Sequence, residues 1–205
     1  DATDDPTGLK KKGELTISSC QLSMSTSSLD IRNGEVTIEN STIDLKKDNS
    51  LILSKANSKL NLKNVNINSE GTAVIVENGD LSVDGSTNEI KARNIGISVN
   101  GGRAEINGGT INGARTGMEY RAGLLDVKGG TMKNCTTGIY QMEGTPVLEG
   151  NEYKAGLIIE NVEICDCGAG IDVYKGECII YRGNIKRCSA GVVSRKESKI
   201  NFKDP

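Results

Sequence analysis

The chain has 205 residues, with 25 Lys and Arg against 27 Asp and Glu, which leaves a formal net charge of −2. A chain so close to neutral lacks the basic excess of nucleic-acid-binding proteins, and no apolar stretch reaches the length of a membrane-spanning helix, so we expect neither a nucleic-acid partner nor a membrane span. Histidine is absent and the aromatic residues are five Tyr and one Phe, so the commonest general base is missing and the core must be aliphatic.

The first 14 residues are polar and open with an acidic segment at Asp1. No signal peptide is visible in this segment. The first strand-like pattern begins at Leu15. We therefore expect a polar N-terminal extension over residues 1–14 and a single domain over residues 15–205.

A short strand pattern, clearest in GISVNGG, GMEYRAG and GIYQMEG, recurs through this domain. Its copies begin, in chain order, at Ser28, Ser50, Ala73, Gly96, Gly117, Gly138, Gly170 and Gly191. The spacing is 21 to 23 residues, except for one step of 32 residues from Gly138 to Gly170. A period of this length indicates a solenoid, in which each repeat forms one coil and buries its apolar side chains only by stacking on its neighbours.

Two further strand patterns follow in each repeat. Most copies of the second alternate apolar and polar residues, which indicates a strand with one buried face; they begin at Leu15, Val36, Leu60, Leu81, Ala104, Leu125, Leu157, Cys178 and Ile200. The third pattern is marked by one apolar residue, namely Leu22, Ile43, Ile67, Ile90, Ile111, Met132, Ile164 and Ile185. β-Branched residues dominate and no amphipathic run lasts ten residues, so we expect no helices.

The corner between the second and third strands mostly carries Asn or Gly, which tolerate a left-handed backbone. The expected corner residues are Ser19, Asn40, Asn64, Gly85, Gly108, Gly129, Asn161 and Arg182. The segments IENSTI, with Asn40, and LKNVNI, with Asn64, resemble the Asn-bearing bends of the pectate-lyase-like superfamily of parallel β-helices. Strand openings of the type G-I-x-V-x-x-G are similar to those of bacterial surface and carbohydrate-associated β-helix repeat proteins. The resemblance extends from Leu15 to about Phe202. The prediction is an all-β, right-handed parallel β-helix of about eight coils, with three short parallel sheets.

Three of the six cysteines recur at one position of the repeat. Cys135, Cys167 and Cys188 each lie three residues before the glycine that opens the next strand, where Ala114 lies one coil earlier. This pattern favours a column of small, buried, structural side chains. A disulfide between Cys167 and Cys188 is a weaker alternative, since stacked β neighbours seldom give good disulfide geometry. Metal binding by Cys165 and Cys167 is weaker still, since the two side chains alternate faces in an extended strand and histidine partners are lacking.

In the polysaccharide-acting members of the superfamily that this chain resembles, the substrate cleft follows the outer face of the first sheet. The resemblance implies that the glycine-led strands form this sheet. Its outward residues then include a cluster formed by Glu119, Arg121, Tyr140, Asp172, Tyr174 and Arg195. Glu119 and Asp172 lie two coils apart, about 9.6 Å between backbones, near the upper limit for an inverting pair of carboxylates. If the chain is an enzyme, Glu119, Asp172 and Arg121 are the catalytic candidates.

The irregular step of the repeat contains the insertion Thr145–Ala155, TPVLEGNEYKA. It leaves the end of the strand that carries Tyr140, so we expect it to overhang the outward cluster and to add Tyr153 to the ligand-binding residues. A long loop in an otherwise economical repeat is often functional.

No metal site and no cofactor are expected. The one alternative is a loosely held Ca²⁺ ion between Glu105 and Asp126, which occupy successive coils on the outer face of the second sheet. Two like charges in this arrangement repel each other unless a cation lies between them.

The catalytic patterns of the superfamily are not reproduced, because the chain has neither a multi-aspartate set with a histidine nor calcium-binding acids beside a lyase arginine. The expected function is that of a non-catalytic extracellular or cell-surface module. It would bind a glycan or a protein partner along the first sheet, or serve as an adhesin or spacer segment. The alternatives are a polysaccharide lyase or glycoside hydrolase acting on an acidic polysaccharide and, less favoured, an intracellular scaffolding filament. The sequence leaves the oligomeric state open.

Overall fold

The computed structural model describes residues 13–150, 152–195 and 197–204, which form strands and no helix. The first half of the strands comprises β1 (Glu14–Ser18), β2 (Gln21–Met24), β3 (Leu29–Ile31), β4 (Gly34–Leu45), β5 (Leu51–Leu53), β6 (Ser58–Ser69), β7 (Val74–Val76), β8 (Asp80–Asp84), β9 (Glu89–Ala92), β10 (Ile95–Val99), β11 (Arg103–Ile106) and β12 (Thr110–Asn112). The second half comprises β13 (Thr116–Tyr120), β14 (Leu124–Val127), β15 (Thr131–Lys133), β16 (Thr137–Gln141), β17 (Val147–Glu149), β18 (Glu152–Ile159), β19 (Glu163–Cys165), β20 (Ala169–Val173), β21 (Gly176–Ile180), β22 (Asn184–Lys186), β23 (Ala190–Ser194) and β24 (Ser198–Phe202).

The strands stack as a parallel β-solenoid of about eight coils, which confirms the expected fold class. The glycine-led strands form an eight-stranded sheet in the order β23-β20-β16-β13-β10-β7-β5-β3, here called the first sheet. The second and third strands of each coil are joined in one 16-stranded sheet, because β4 and β6 run without a break through both positions. The solenoid therefore has three strand faces but two hydrogen-bonded sheets, where three separate sheets were expected.

Strand β1 begins at Glu14, one residue before the pattern that starts at Leu15. Residues 1–12 of the expected extension lie outside the described residues.

The core consists of columns of aliphatic side chains that stack in register from coil to coil. In the third-strand column, for example, Ile43 lies opposite Ile67, Ile67 opposite Ile90 and Ile90 opposite Ile111, and all four side chains are buried. The larger aromatic side chain of Tyr120 is also buried, and its hydroxyl donates a hydrogen bond to the Gly123 carbonyl at 3.0 Å. Hydrophobic burial is thus distributed along the whole axis.

The left-handed corners fall only partly where the sequence indicates. Ser19, Asn40, Asn64 and Gly85 have φ values of 55°, 50°, 54° and 88°. In the next two coils the left-handed residues are Gly109 and Gly130, each one position later than expected. The shift accompanies a break between the second and third strands, which are continuous in β4 and β6 but separate from β8 and β9 onwards.

The cysteine column has a structural role at the third corner. Cys135, Cys167 and Cys188 each follow a residue with positive φ, and each thiol donates to the carbonyl two residues earlier, at 3.4, 3.3 and 3.6 Å. The Ser41 hydroxyl makes the same contact with the Glu39 carbonyl at 2.7 Å, next to the left-handed Asn40. A small donor side chain after the bend therefore satisfies a carbonyl that the bend leaves free. All six cysteines are free thiols in the structure.

Burial makes most of these thiols unreactive. It raises the pKa of Cys167 and of Cys178 to about 12, so the thiolate fraction at pH 8 is on the order of 10⁻⁴. Cys20 is exposed.

We expect iodoacetamide to alkylate Cys20 in the native protein at pH 8 and to reach Cys167 and Cys178 only after unfolding, as measured by mass spectrometry of tryptic peptides. Equal rates at Cys20 and Cys167 in the native state would contradict this packing.

Glycines at the start of the first-sheet strands allow close approach between coils. A Cβ atom added to Gly138 would lie 2.6 Å from the Gly170 carbonyl oxygen and 2.7 Å from Ile164 Cγ2. Gly191 occupies the same position of the repeat in the last coil, and a Cβ atom added there would meet nothing within 4 Å. The two glycines therefore form a matched pair of crowded and open positions.

We expect Gly138→Ala to lower the free energy of unfolding by about 1–3 kcal/mol, because the added methyl group overpacks the core. Gly191→Ala should change it by less than about 0.5 kcal/mol. Urea denaturation followed by circular dichroism measures both values. Similar losses in the two variants would show that the crowding at Gly138 does not limit the packing of the coils.

Candidate functional site

The first sheet places the expected cluster on one continuous outer surface. Glu119 lies opposite Tyr140, and Tyr140 lies opposite Asp172, in the parallel pairs β13–β16 and β16–β20. Arg121 lies two residues after Glu119, and Tyr174 lies two residues after Asp172. Arg195 lies next to Tyr174, in the following coil. We call the surface formed by Glu119, Arg121, Tyr140, Asp172, Tyr174 and Arg195 the first-sheet patch.

Asp172 is held by an arginine from the following coil. Arg195 Nε lies 2.8 Å from Asp172 Oδ1 and its terminal nitrogen 2.5 Å from Asp172 Oδ2, which is the two-pronged geometry of a strong guanidinium–carboxylate pair. Asp172 is only 6% exposed although it points outward. Hydrogen bonding to Asp172 and its charge raise the pKa of Arg195, so this guanidinium stays charged at any working pH.

Glu119 is paired in the same manner within its own strand. Arg121 Nε donates to Glu119 Oε1 at 2.9 Å, and Glu119 is 8% exposed. Both outward carboxylates are thus largely covered and neutralised, while the two arginine side chains remain about half exposed, at 48% and 50%. The patch therefore presents arginine side chains to solvent rather than free carboxylates.

Two tyrosines complete the patch. Tyr140 is half-buried between the two carboxylates, and burial, followed by the charge of Asp172, raises the pKa of its hydroxyl. The hydroxyl therefore stays protonated at neutral pH and is able to donate a hydrogen bond. Tyr174 is 53% exposed, so its ring offers an open stacking face in the coil next to Arg195.

This geometry suits recognition better than proton transfer. A general acid or base must reach the substrate with a free carboxyl group, whereas Glu119 and Asp172 would each have to leave an ion pair first. Arg121 uses only its Nε atom for Glu119, and Arg195 uses its Nε atom and one terminal nitrogen for Asp172. Each guanidinium therefore keeps N–H donors for an anionic group in solution.

The insertion does not overhang this patch, and the expectation for Tyr153 is corrected. Strands β17 and β18 form an antiparallel hairpin. Tyr153 packs instead on Leu124, Ile158 and Ile179, three apolar side chains on the outer face of the second strands. Their outward apolar surface draws the hairpin to this face, and it is the sequence signal that would have located the hairpin.

The acidic pair on the second-strand face has an internal counterion. Glu105 lies opposite Asp126, and Lys128 Nζ lies 3.0 Å from Glu105 Oε1 and 3.6 Å from Asp126 Oδ2. Arg103 also binds Glu105, at 3.0 Å. The ammonium group of Lys128 thus lies where a Ca²⁺ ion was the weak alternative. Across the described ranges, no group of three or more Cys, Asp or Glu side chains is placed to hold a metal ion.

A surface groove of about 560 Å³ lies elsewhere, along the third-strand face. Its polar walls are held by contacts within the chain. Asp44 accepts hydrogen bonds from Asn68 at 2.9 Å and from Gln21 at 3.2 Å, and Lys46 pairs with Glu70 at 2.9 Å. The sequence analysis did not single out this groove, because its residues are ordinary outward positions of the repeat.

Comparison with protein-family models, curated proteins and solved structures finds no match for this chain. The structure shows a parallel β-solenoid of about eight turns, and no match assigns it to a superfamily. Within the described part of the chain, no helix is long and apolar enough to cross a membrane.

The ion pair between Asp172 and Arg195 gives a test of the patch. We expect Arg195→Gln to lower the urea midpoint of the protein, because it leaves a covered carboxylate without its partner. Arg32→Gln is the control: Arg32 also pairs with an outward aspartate of the first sheet, Asp30, but through its Nε atom alone, at 2.7 Å and within one coil, and the Asp30 side chain is 28% exposed, against 8% for that of Asp172. The control should have little effect, since exposed ion pairs contribute little. Equal shifts in both variants would contradict the burial of Asp172.

Proposed function

We propose that this chain is a non-catalytic extracellular or cell-surface β-helix module that binds an acidic glycan at the first-sheet patch. The observation that carries the proposal is the pairing of both outward carboxylates with arginines whose side chains remain half exposed, one of them, Arg195, in the coil next to Tyr174. Such a surface offers charged N–H donors for sugar carboxylates and an aromatic face for sugar rings. The resemblance to pectate-lyase-like β-helices is part of this proposal, and it supports a ligand site on the first sheet.

The spacing of the patch supports an extended ligand. The residues that follow Tyr120, Gln141, Val173 and Ser194 form a second outward row, in the order Arg121, Met142, Tyr174 and Arg195. Successive coils are about 4.8 Å apart, so a linear chain that runs along the solenoid axis would contact several coils at once. Many weak contacts along a regular surface give affinity without a deep pocket.

The proposal is tested by titration of the protein with an oligogalacturonate, as an acidic glycan, and with a neutral oligosaccharide of the same length. We expect saturable binding of the acidic glycan only. Tyr174→Ala and Arg121→Gln should each weaken it at least fivefold. Arg32→Gln is the control, since Arg32 is also an outward first-sheet arginine paired with an aspartate, but lies at the other end of the solenoid.

Release of new reducing ends measures the alternative in the same samples. Turnover that Glu119→Gln or Asp172→Asn abolishes would replace the binding proposal by a polysaccharide lyase or hydrolase. Failure to bind any acidic glycan would contradict the glycan proposal and favour a protein partner or a spacer role. Antibody labelling of intact source cells tests the proposed surface location independently.

A further inference from the structure

The inward column that ends the first-sheet strands contains two buried polar side chains beneath the first-sheet patch. Tyr120 and Gln141 are 1% and 0% exposed, whereas Ser194, the other polar member, is exposed in the last coil. In coil order the column reads Ile31, Leu53, Val76, Val99, Tyr120, Gln141, Val173 and Ser194. The aliphatic column is thus interrupted in two of the coils that carry the patch, where the polar groups need hydrogen-bond partners.

The Gln141 amide joins the corners of two neighbouring coils. Its Nε2 atom lies 2.9 Å from the Gly144 carbonyl oxygen, and 3.1 and 3.4 Å from those of Glu177 and Lys175 in the next coil. The Glu177 amide also donates to the Gly144 carbonyl, at 2.8 Å. Lys175 directly follows Tyr174 of the patch, so these contacts tie the segment after Tyr174 to the preceding coil.

The Tyr120 side chain fixes the corner one coil earlier. Its hydroxyl donates to the Gly123 carbonyl, two residues after Arg121, at 3.0 Å. Its ring also packs against the next corner, since a Cβ atom added to Gly144 would lie 2.7 Å from Tyr120 Cε1. Two buried side chains therefore hold, from inside the solenoid, the corners that follow Arg121 and Tyr174.

Packing alone does not account for a glutamine at this position. The Gln141 Oε1 atom is buried without a hydrogen-bond partner among the described residues, and an unpaired buried acceptor lowers stability. A valine, such as Val173 at the same position of the next coil, avoids this cost. The column thus departs from its aliphatic pattern directly beneath the candidate site, and such departures are expected where a residue serves function.

We propose that Gln141 is a positioning residue that holds the corner of Tyr174 in its ligand-binding conformation, an inference that rests on the proposed function. Gln141 is fully buried, so it acts through Tyr174 and does not touch the glycan. A binding side chain on a mobile corner loses conformational freedom when the ligand binds, and this loss lowers affinity. The Gln141 contacts fix the corner beforehand, and the Tyr120 hydroxyl does so for the corner after Arg121.

The experiment combines amide hydrogen exchange, measured by NMR, with the oligogalacturonate titration on the full chain. Gln141→Leu keeps a similar side-chain volume and removes the three amide contacts. The Tyr174 and Glu177 amides donate to the Gln141 and Gly144 carbonyls, and we expect both to exchange at least tenfold faster in this variant. The affinity for the glycan should fall at least threefold.

Tyr120→Phe is a second, milder variant, because it removes only one hydroxyl. It should accelerate exchange of the Leu124 amide, which donates to the Gly102 carbonyl at the same corner, and weaken glycan binding at least twofold. If Gln141→Leu does not fold, Tyr120→Phe decides the outcome alone. Unchanged exchange and affinity in Tyr120→Phe would then overturn the proposal.

Val76→Ala is the matched control, because it removes buried volume from the same column three coils before Gln141. It should leave exchange at Tyr174 and the glycan affinity unchanged. Equal weakening by Val76→Ala and Gln141→Leu would reduce the effect to general stability and overturn the proposal. An unchanged affinity in Gln141→Leu would also overturn it, with or without faster exchange. Failure of the wild-type protein to bind the glycan is a distinct result, since it would overturn the proposed function itself and with it the role of Gln141.

Discussion

Parallel stacking in register is the constraint on which the rest of this structure depends. A single coil is too thin to bury its own apolar side chains, so Ile, Leu and Val must rest on the equivalent residues of the coils above and below. The columns Ile43–Ile67–Ile90–Ile111 and their counterparts follow from this requirement. A slip of one residue would turn every buried side chain outward, so the register is strongly specified along the whole axis.

The same constraint builds the outer surface. Residues 21 to 32 positions apart in sequence become direct neighbours, which is how Glu119, Tyr140 and Asp172 come together. Corners repeat their chemistry for the same reason: a left-handed residue is followed by a small donor, as at Asn134 and Cys135. The one interruption of the period produces the one hairpin within the described residues, and Tyr153 of this hairpin packs on a different face from the patch.

The strand columns, and with them the composition of the first-sheet patch, could be predicted because a fixed period and apolar alternation determine which residues stack and which point outward. The ion pairs could not, since Arg195 reaches back to Asp172 in another coil through side-chain rotamers that no pattern encodes. The expectation that the hairpin overhangs the first-sheet patch is wrong, because the length of a loop does not determine which face of the solenoid it covers. Leu124, Ile158 and Ile179, which are apolar at outward positions, decide it. The left-handed bends at Gly109 and Gly130 lie one residue later than expected, because the glycine pairs Gly108–Gly109 and Gly129–Gly130 each offer two places to bend.

We propose that ligand recognition takes place on the first-sheet patch and not in the third-strand groove. Backbone amide chemical shifts, recorded during titration with an oligogalacturonate, test it most directly because they map the contact surface residue by residue. The expected result is a set of shifts confined to β13, β16, β20 and the residues that follow them, including Arg121 and Tyr174. Shifts centred on Asp44, Asn68 and Lys91, which line the third-strand groove, would contradict it.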